Sequence, residues 1–139
     1  MAQGYRNRPE QEASAFRDGW YSTGDLGFVD RQGLLHILDR AADMVLANGS
    51  LLGPAPLQDT LCRLSGVRYA VVVPGNVAGH WVAAVVPWPG VPVDTAACQA
   101  AVWTAHRVAA SAFTVVCCQR VPLTEQGKPD RAFIRALNI

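Results

Sequence analysis

The sequence predicts an α+β domain, a small sheet with flanking helices preceded by β-hairpins. Three observations point there. Two glycine-centred turns lie close together near the N-terminal end, in "GFVDRQGLLHIL" and "DMVLANGSLLGP". Two β-branched runs, "VRYAVVV" and "HWVAAVV", follow one another. Helix-like segments stand between and after them, so strands and helices alternate along one chain.

Each element has its own signal. "GFVDRQGLLHIL" reads as two short strands around Asp30-Arg31-Gln32-Gly33, where Gly33 supplies the positive φ such a turn requires. "DMVLANGSLLGP" reads as a second hairpin turning at Asn48-Gly49. Pro54 suits the first turn of a helix, and Leu57, Leu61 and Leu64 keep helical spacing until Ser65-Gly66 end it. The runs at 67–73 and 80–86 are strands joined by a Pro-Gly-Asn loop, with β-branched side chains suited to a buried sheet. Residues 94–110 are alanine-rich and predict a helix, and "FTVVCC" predicts another strand. The chain then enters a polar turn at Gly127-Lys128 and a short terminal helix with Phe133, Ile134 and Leu137 on its apolar side.

Composition narrows the function. The 139 residues are half apolar, enough for a core, and 12 basic against 11 acidic side chains leave a net charge of +1. With no run of lysine or arginine, neither nucleic acid nor an anionic membrane is an expected partner. The opening stretch lacks the apolar core of a signal peptide, and no run is long enough to span a bilayer, so a cytoplasmic location is expected. Cys62, Cys98, Cys117 and Cys118 show no CxxC spacing and read as buried free thiols. The dispersed His36, His80 and His106 read as structural or surface residues, and no metal site is expected.

Two segments carry chemistry. In "DGWYSTGDLGFVD", Asp25 stands beside Gly24 at the mouth of the first hairpin. A carboxylate so placed can accept hydrogen bonds from a vicinal diol such as a ribose, or can simply close an Asx turn. In "VPLTEQGKPDRAFIRAL", Lys128 sits on a glycine-containing loop, where an ammonium can be carried onto a developing phosphoryl or carboxylate charge, or can be a solvated turn residue.

Taken in order, "GYRNRPEQEASAFRDGWYSTGDLG", "GLLHILDRAADMVLANGSLLGP" and "VPLTEQGKPDR" span nearly the whole chain. Together they resemble the C-terminal part of the adenylate-forming superfamily, which includes acyl-CoA synthetases and the adenylation domains of non-ribosomal peptide synthetases. The first of the three is closest to the acyl-CoA synthetases.

The resemblance implies a C-terminal ligase domain in two parts. Residues 1–39 correspond to the end of the large N-terminal domain and residues 40–139 to a mobile lid. It assigns Asp25 and Arg40 to the AMP ribose, Lys128 to the catalytic cation of adenylation, Gly49 to the pantetheine passage and Ala42 to the hinge. ATP or AMP with magnesium, and CoA or phosphopantetheine, are implied for the complete ligase, with none held tightly by this chain alone. The implied partners are an N-terminal adenylation domain, in trans or on a longer chain, and an acyl carrier protein as a second acceptor.

The chain departs from the family pattern where Ala42 replaces a polar hinge residue, Asp39 and Asn48 replace glycines, and Pro56 replaces an acid. The family's Lys-x-Pro before the last strand is missing from "VAASAFTVV". The phosphate loop and acid-selecting pocket of the family have no counterpart in the sequence, so the chain is expected not to adenylate by itself. The alternative is a stand-alone lid kept as a protein-interaction module, with "PWPGVP" as its contact loop.

Overall fold

The computed structural model describes residues 16–17, 20–21, 23–47 and 49–137, so the expectation for Asn48 lies outside the described residues. Contacts divide the chain into two compact units between Ala42 and Asp43.

The first unit contains two antiparallel pairs. Strands β1 (Phe16–Arg17) and β2 (Trp20–Tyr21) form one, and β3 (Asp25–Val29) and β4 (Leu35–Arg40) form the other. The β3–β4 turn follows the expected chemistry. The Asp30 carboxylate accepts from the Gln32 and Leu34 amides at 2.8 and 3.0 Å, and Gly33 takes φ +83°. Asp30 also holds His36 Nε2 at 2.7 Å, and the His36 ring stacks on Phe28 with centroids 4.8 Å apart. The hydrogen bond to His36, ahead of those from the backbone, pulls the Asp30 carboxyl below its usual range. A register shift between Leu26 and Gly27 brings the backbone against Gly27, where an added Cβ would lie 2.5 Å from the His36 carbonyl oxygen.

A 3-10 turn, Ala41–Asp43, leads into the second unit. Strands β5 (Val45–Ala47) and β6 (Ser50–Leu52) make the second expected hairpin. Helix α1 (Pro54–Cys62) begins with proline in its first turn, as predicted. The sheet has the order β7-β8-β9, with β7 (Val67–Pro74) antiparallel and β9 (Phe113–Cys117) parallel to the central β8 (Trp81–Pro87). Helix α2 (Thr95–His106) makes the crossover between β8 and β9, and α3 (Arg131–Ala136) closes the described chain.

Strand periodicity sorts the core into two layers. Trp81, Ala83 and Val85 of β8 pack with Leu57 and Leu61 of α1, Cys98 and Val102 of α2, and Phe113. The intervening Val82 and Ala84 pack with Val73 and Ile134 of α3. Strand β8 is therefore covered on both faces, which explains its unbroken apolar sequence. Edge strand β7 receives a polar seal as well: Gln58 Oε1 accepts the Val72 amide at 3.0 Å.

Several details differ from expectation. Helix α2 stops at His106, not at 110, because Arg107 turns left-handed at φ 58° and the chain behind it delivers Val108 to the core. Helix α1 ends at Cys62, and Leu64 packs beyond it as a partly buried residue. On α3, Ile134 is buried while Phe133 is 54% exposed, so the apolar side is narrower than expected. Of the four thiols only Cys98 is fully buried, and Cys62 and Cys117 are exposed. Burial pushes the Cys98 thiol up. His80 bonds Thr114 at 2.8 Å and His106 bonds Thr60 at 2.7 Å, both as structural partners.

Candidate functional site

The first hairpin brings Asp25 and Arg40 together. They are register partners at its open end, and Arg40 Nη1 donates to Asp25 Oδ1 and to the Thr23 carbonyl oxygen, each at 2.9 Å. Gly24 takes φ +76°, Thr23 Oγ1 accepts the Asp25 amide at 3.2 Å, and the Ala41 amide closes onto the Gly24 carbonyl at 2.8 Å. With side chains 64% and 31% exposed, the Arg40–Asp25 pair contributes roughly 0–1 kcal/mol to stability. Its consequence is geometric. One arginine nitrogen fixes both the loop carbonyl and one carboxylate oxygen, and Oδ2 accepts no hydrogen bond among the described residues. A carboxylate has about four lone-pair sites, so this arrangement fits a vicinal diol without displacing Arg40.

Lys128 lies on a loop closed by its own backbone. The Thr124 amide donates to the Lys128 carbonyl at 2.7 Å, the Gly127 amide to the Thr124 carbonyl at 2.9 Å, and the Asp130 amide to the Pro122 carbonyl at 2.8 Å. Leu123 bridges Pro129, and Gly127 at φ +79° makes the reversal. Asp130 then caps α3 by accepting the Phe133 amide at 3.0 Å. Lys128 is exposed, and among the described residues no carboxylate pairs with it. The result is an outward ammonium on a loop fixed at its base.

Gly49 occupies the β5–β6 turn at φ +79°, and an added Cβ would meet nothing within 4 Å. Glycine is set here by backbone conformation and not by crowding within the chain. Ala42 lies in the 3-10 turn where the two units divide. Lys128 and Gly49 stand on separate loops of the second unit, while Asp25 and Arg40 belong to the first.

One pair escaped sequence reasoning. Arg131, the first residue of α3, places Nη2 2.8 Å from Asp43 Oδ2. That nitrogen is buried, and the contact is an ion pair without hydrogen-bond alignment. It ties the segment after Ala42 to the helix that follows the lysine loop. No local pattern signals a contact between residues so distant in sequence. Among the described residues, no group of three or more His, Cys, Asp or Glu side chains is placed to hold a metal ion, and no helix is long and apolar enough to cross a membrane.

A small α+β unit with an outward lysine loop, preceded by a hairpin that pairs an aspartate with an arginine, defines a C-terminal region of an adenylate-forming ligase. Comparison with known proteins agrees. The chain is 34% identical, over 98% of its length, to the medium/long-chain-fatty-acid–CoA ligase FadD8 of Mycobacterium tuberculosis, and spans 26% of that protein. Among solved structures it matches the amide bond synthetase McbA of Marinactinospora thermotolerans, with a TM-score of 0.80, 30% identity, and coverage of 99% of this chain and 29% of that one. It also matches the O-succinylbenzoate coenzyme A synthetase MenE of Bacillus subtilis in complex with AMP, with a TM-score of 0.75, 26% identity, and coverage of 94% and 27%. The chain matches none of the protein-family models. It belongs to the adenylate-forming superfamily, corresponds to its C-terminal region, and spans about a quarter of the length of the FadD8 ligase, one of the curated relatives it matches.

Proposed function

We propose that this chain forms the lid part of an ATP-dependent ligase that joins a carboxylic acid to a thiol, with the acid-binding and phosphate-binding parts on an N-terminal adenylation domain. The observation that carries this reading is the Lys128 loop, which presents an ammonium outward from a hydrogen-bonded base. ATP with magnesium supplies the adenylyl group that activates the acid, and CoA or a carrier-borne phosphopantetheine supplies the thiol.

The chain's own residues then have distinct tasks. Asp25 accepts hydrogen bonds from the ribose hydroxyls while Arg40 holds its carboxylate in place. Lys128 brings positive charge against the carboxylate and phosphate oxygens as adenylation proceeds, stabilising the charge that develops there. Gly49 leaves a gap on the hairpin for the pantetheine arm, since glycine carries no side chain at that position. Ala42 is the position about which the second unit turns between the two half-reactions.

Two measurements test this. The chain alone is expected to show no ATP–pyrophosphate exchange with any carboxylic acid. Paired with its N-terminal domain, Lys128→Ala is expected to slow acyl-adenylate formation by about 3 kcal/mol, roughly two orders of magnitude, because one aimed charge is lost at the transition state. Thioester formation from a preformed acyl-adenylate should persist. Equal loss in both half-reactions would remove Lys128 from the lid role.

A further inference from the structure

The loop after β8 takes no part in the ligase chemistry proposed above, yet it presents an aromatic side chain from a hydrogen-bonded backbone. The Val91 amide donates to the Trp88 carbonyl at 3.0 Å, with Pro89 and Gly90 between them and Gly90 at φ +75°, a proline–glycine turn. The Trp88 amide is also fixed to the Gly66 carbonyl at 3.2 Å. With its backbone pinned at both groups, Trp88 still leaves 48% of its surface exposed. The Arg68 guanidinium lies 5.3 Å from the ring centres of both Trp88 and Tyr69, and Tyr69 is exposed as well.

Arg68 and Trp88 border a groove of about 520 Å³, whose walls also include Val86, Val91 and Gln119. Arg68 is the one ionisable residue in its lining. Arg120, exposed, follows Gln119. The acid nearest in sequence to the Pro92 end, Asp94, spends its carboxylate on the Ala96 and Ala97 amides as the cap of α2. The groove is therefore apolar in its walls, cationic in its charge and uncompensated by a free carboxylate of its own lining.

We propose that this groove is a docking surface for an acidic, partly apolar segment of a partner protein. A carboxylate of that segment meets Arg68, whose guanidinium lies over both rings, and an apolar side chain covers the exposed Val91. Tryptophan, tyrosine and arginine held rigid at a surface are the residues that dominate protein interfaces, because little side-chain freedom is lost when they are covered. Charge complementarity selects an acidic partner over a basic or neutral one. The surface is independent of Lys128 and Gly49, so it stands or falls separately from the ligase proposal.

The test uses the whole chain, labelled with ¹⁵N, and follows the Trp88 indole N–H signal together with the backbone amide signals of Arg68, Gly90 and Val91, which report equally in the Trp88 variants. The probe is a short peptide of glutamates interspersed with leucines, and the control is its glutamine-for-glutamate analogue. A saturable shift is expected for the acidic peptide, with affinity falling about tenfold or more for the analogue and for Arg68→Gln, and falling further as salt rises. Trp88→Ala should abolish binding, and Trp88→Phe, which keeps a ring in the turn, should retain part of it. Equal binding of the two peptides, a response to a neutral proline-rich peptide instead, or no saturable shift with the acidic peptide would each overturn the proposal. So would self-association of the chain that Trp88→Ala removes, since the occupant would then be a second copy.

Discussion

Strands β4 and β8 both carry large apolar side chains, and those side chains meet opposite fates. In β8, Trp81 through Val86 are all buried, with α1 and α2 over one face and α3 over the other. In β4, Leu35 and Ile37 are 66% and 58% exposed, and none of residues 23–42 is buried. Hydrophobic sequence marks a strand as suited to burial, but only covering elements bury it. The second unit contains those elements and builds a two-layer core of its own. The first unit holds its candidate site by other means, namely hydrogen bonds at the Asp25–Arg40 end and an aspartate-centred turn at the other.

The largest effect expected from this contrast is on stability. Phe113 is fully buried between β8 and α2, so Phe113→Ala should cost about 3–5 kcal/mol through lost burial and a cavity. Ile37→Ala, on an exposed strand, should change stability by less than about 0.5 kcal/mol. Urea unfolding followed by circular dichroism measures both. A comparable loss from Ile37→Ala would show the first hairpin to be covered in solution and would erase the contrast.

The same contrast explains what could be read from sequence. The β8 run, the two glycine turns, the proline start of α1 and the lysine loop depend on local chemistry, and the structure places them as expected. The end of α2 depends on tertiary packing: Val108-Ala109-Ala110 has acceptable helix propensity, but burial of Val108 requires the chain to leave the helix at Arg107. Gly27 was passed over because its need for glycine arises only from a register shift that brings the His36 carbonyl close. The Asp43–Arg131 pair was invisible for a similar reason, since neither residue has a local signature. Asp25 and Arg40 were legible as a pair only through family resemblance, and the antiparallel register is what supplies their contact.

A smaller effect concerns Gly49, where backbone demand and proposed function meet. Gly49→Leu forces a side chain into positive φ at a cost of about 1 kcal/mol or more. Among the described residues no atom lies within 4 Å of an added Cβ, so the first carbon of the new side chain meets no obstacle. The variant should therefore fold, with a modestly lowered melting temperature. In the assembled ligase it should accumulate acyl-adenylate and form little thioester. Wild-type thioester formation by the folded variant would place the pantetheine passage elsewhere and leave Gly49 as a turn residue alone.

The smallest effect belongs to the turn of the first hairpin, and its direction follows from Asp30. Hydrogen bonds from His36 and from the Leu34, Gln32 and Gly33 amides lower the folded-state pKa of this carboxyl below its ordinary value of 3.8. A depressed carboxylate pKa means that the ionised form is favoured in the folded state. The contribution is present in full above the unfolded value and is lost as pH falls through the folded one, that is, from about pH 3.8 downward. The group is only partly buried and belongs to the turn of the first unit, so the change should be local and should leave the core of the second unit intact. The protection of the Gln32 and Leu34 amides, taken relative to the intrinsic exchange rate at each pH, should fall on acidification, since the carboxylate accepts their N–H groups, while Val82 and Ala84 stay protected. Asp30→Asn, which keeps an oxygen acceptor but no charge, should remove this acid response and already weaken the His36 contact at neutral pH. An acid response that persists in Asp30→Asn would assign the turn's stability to another group.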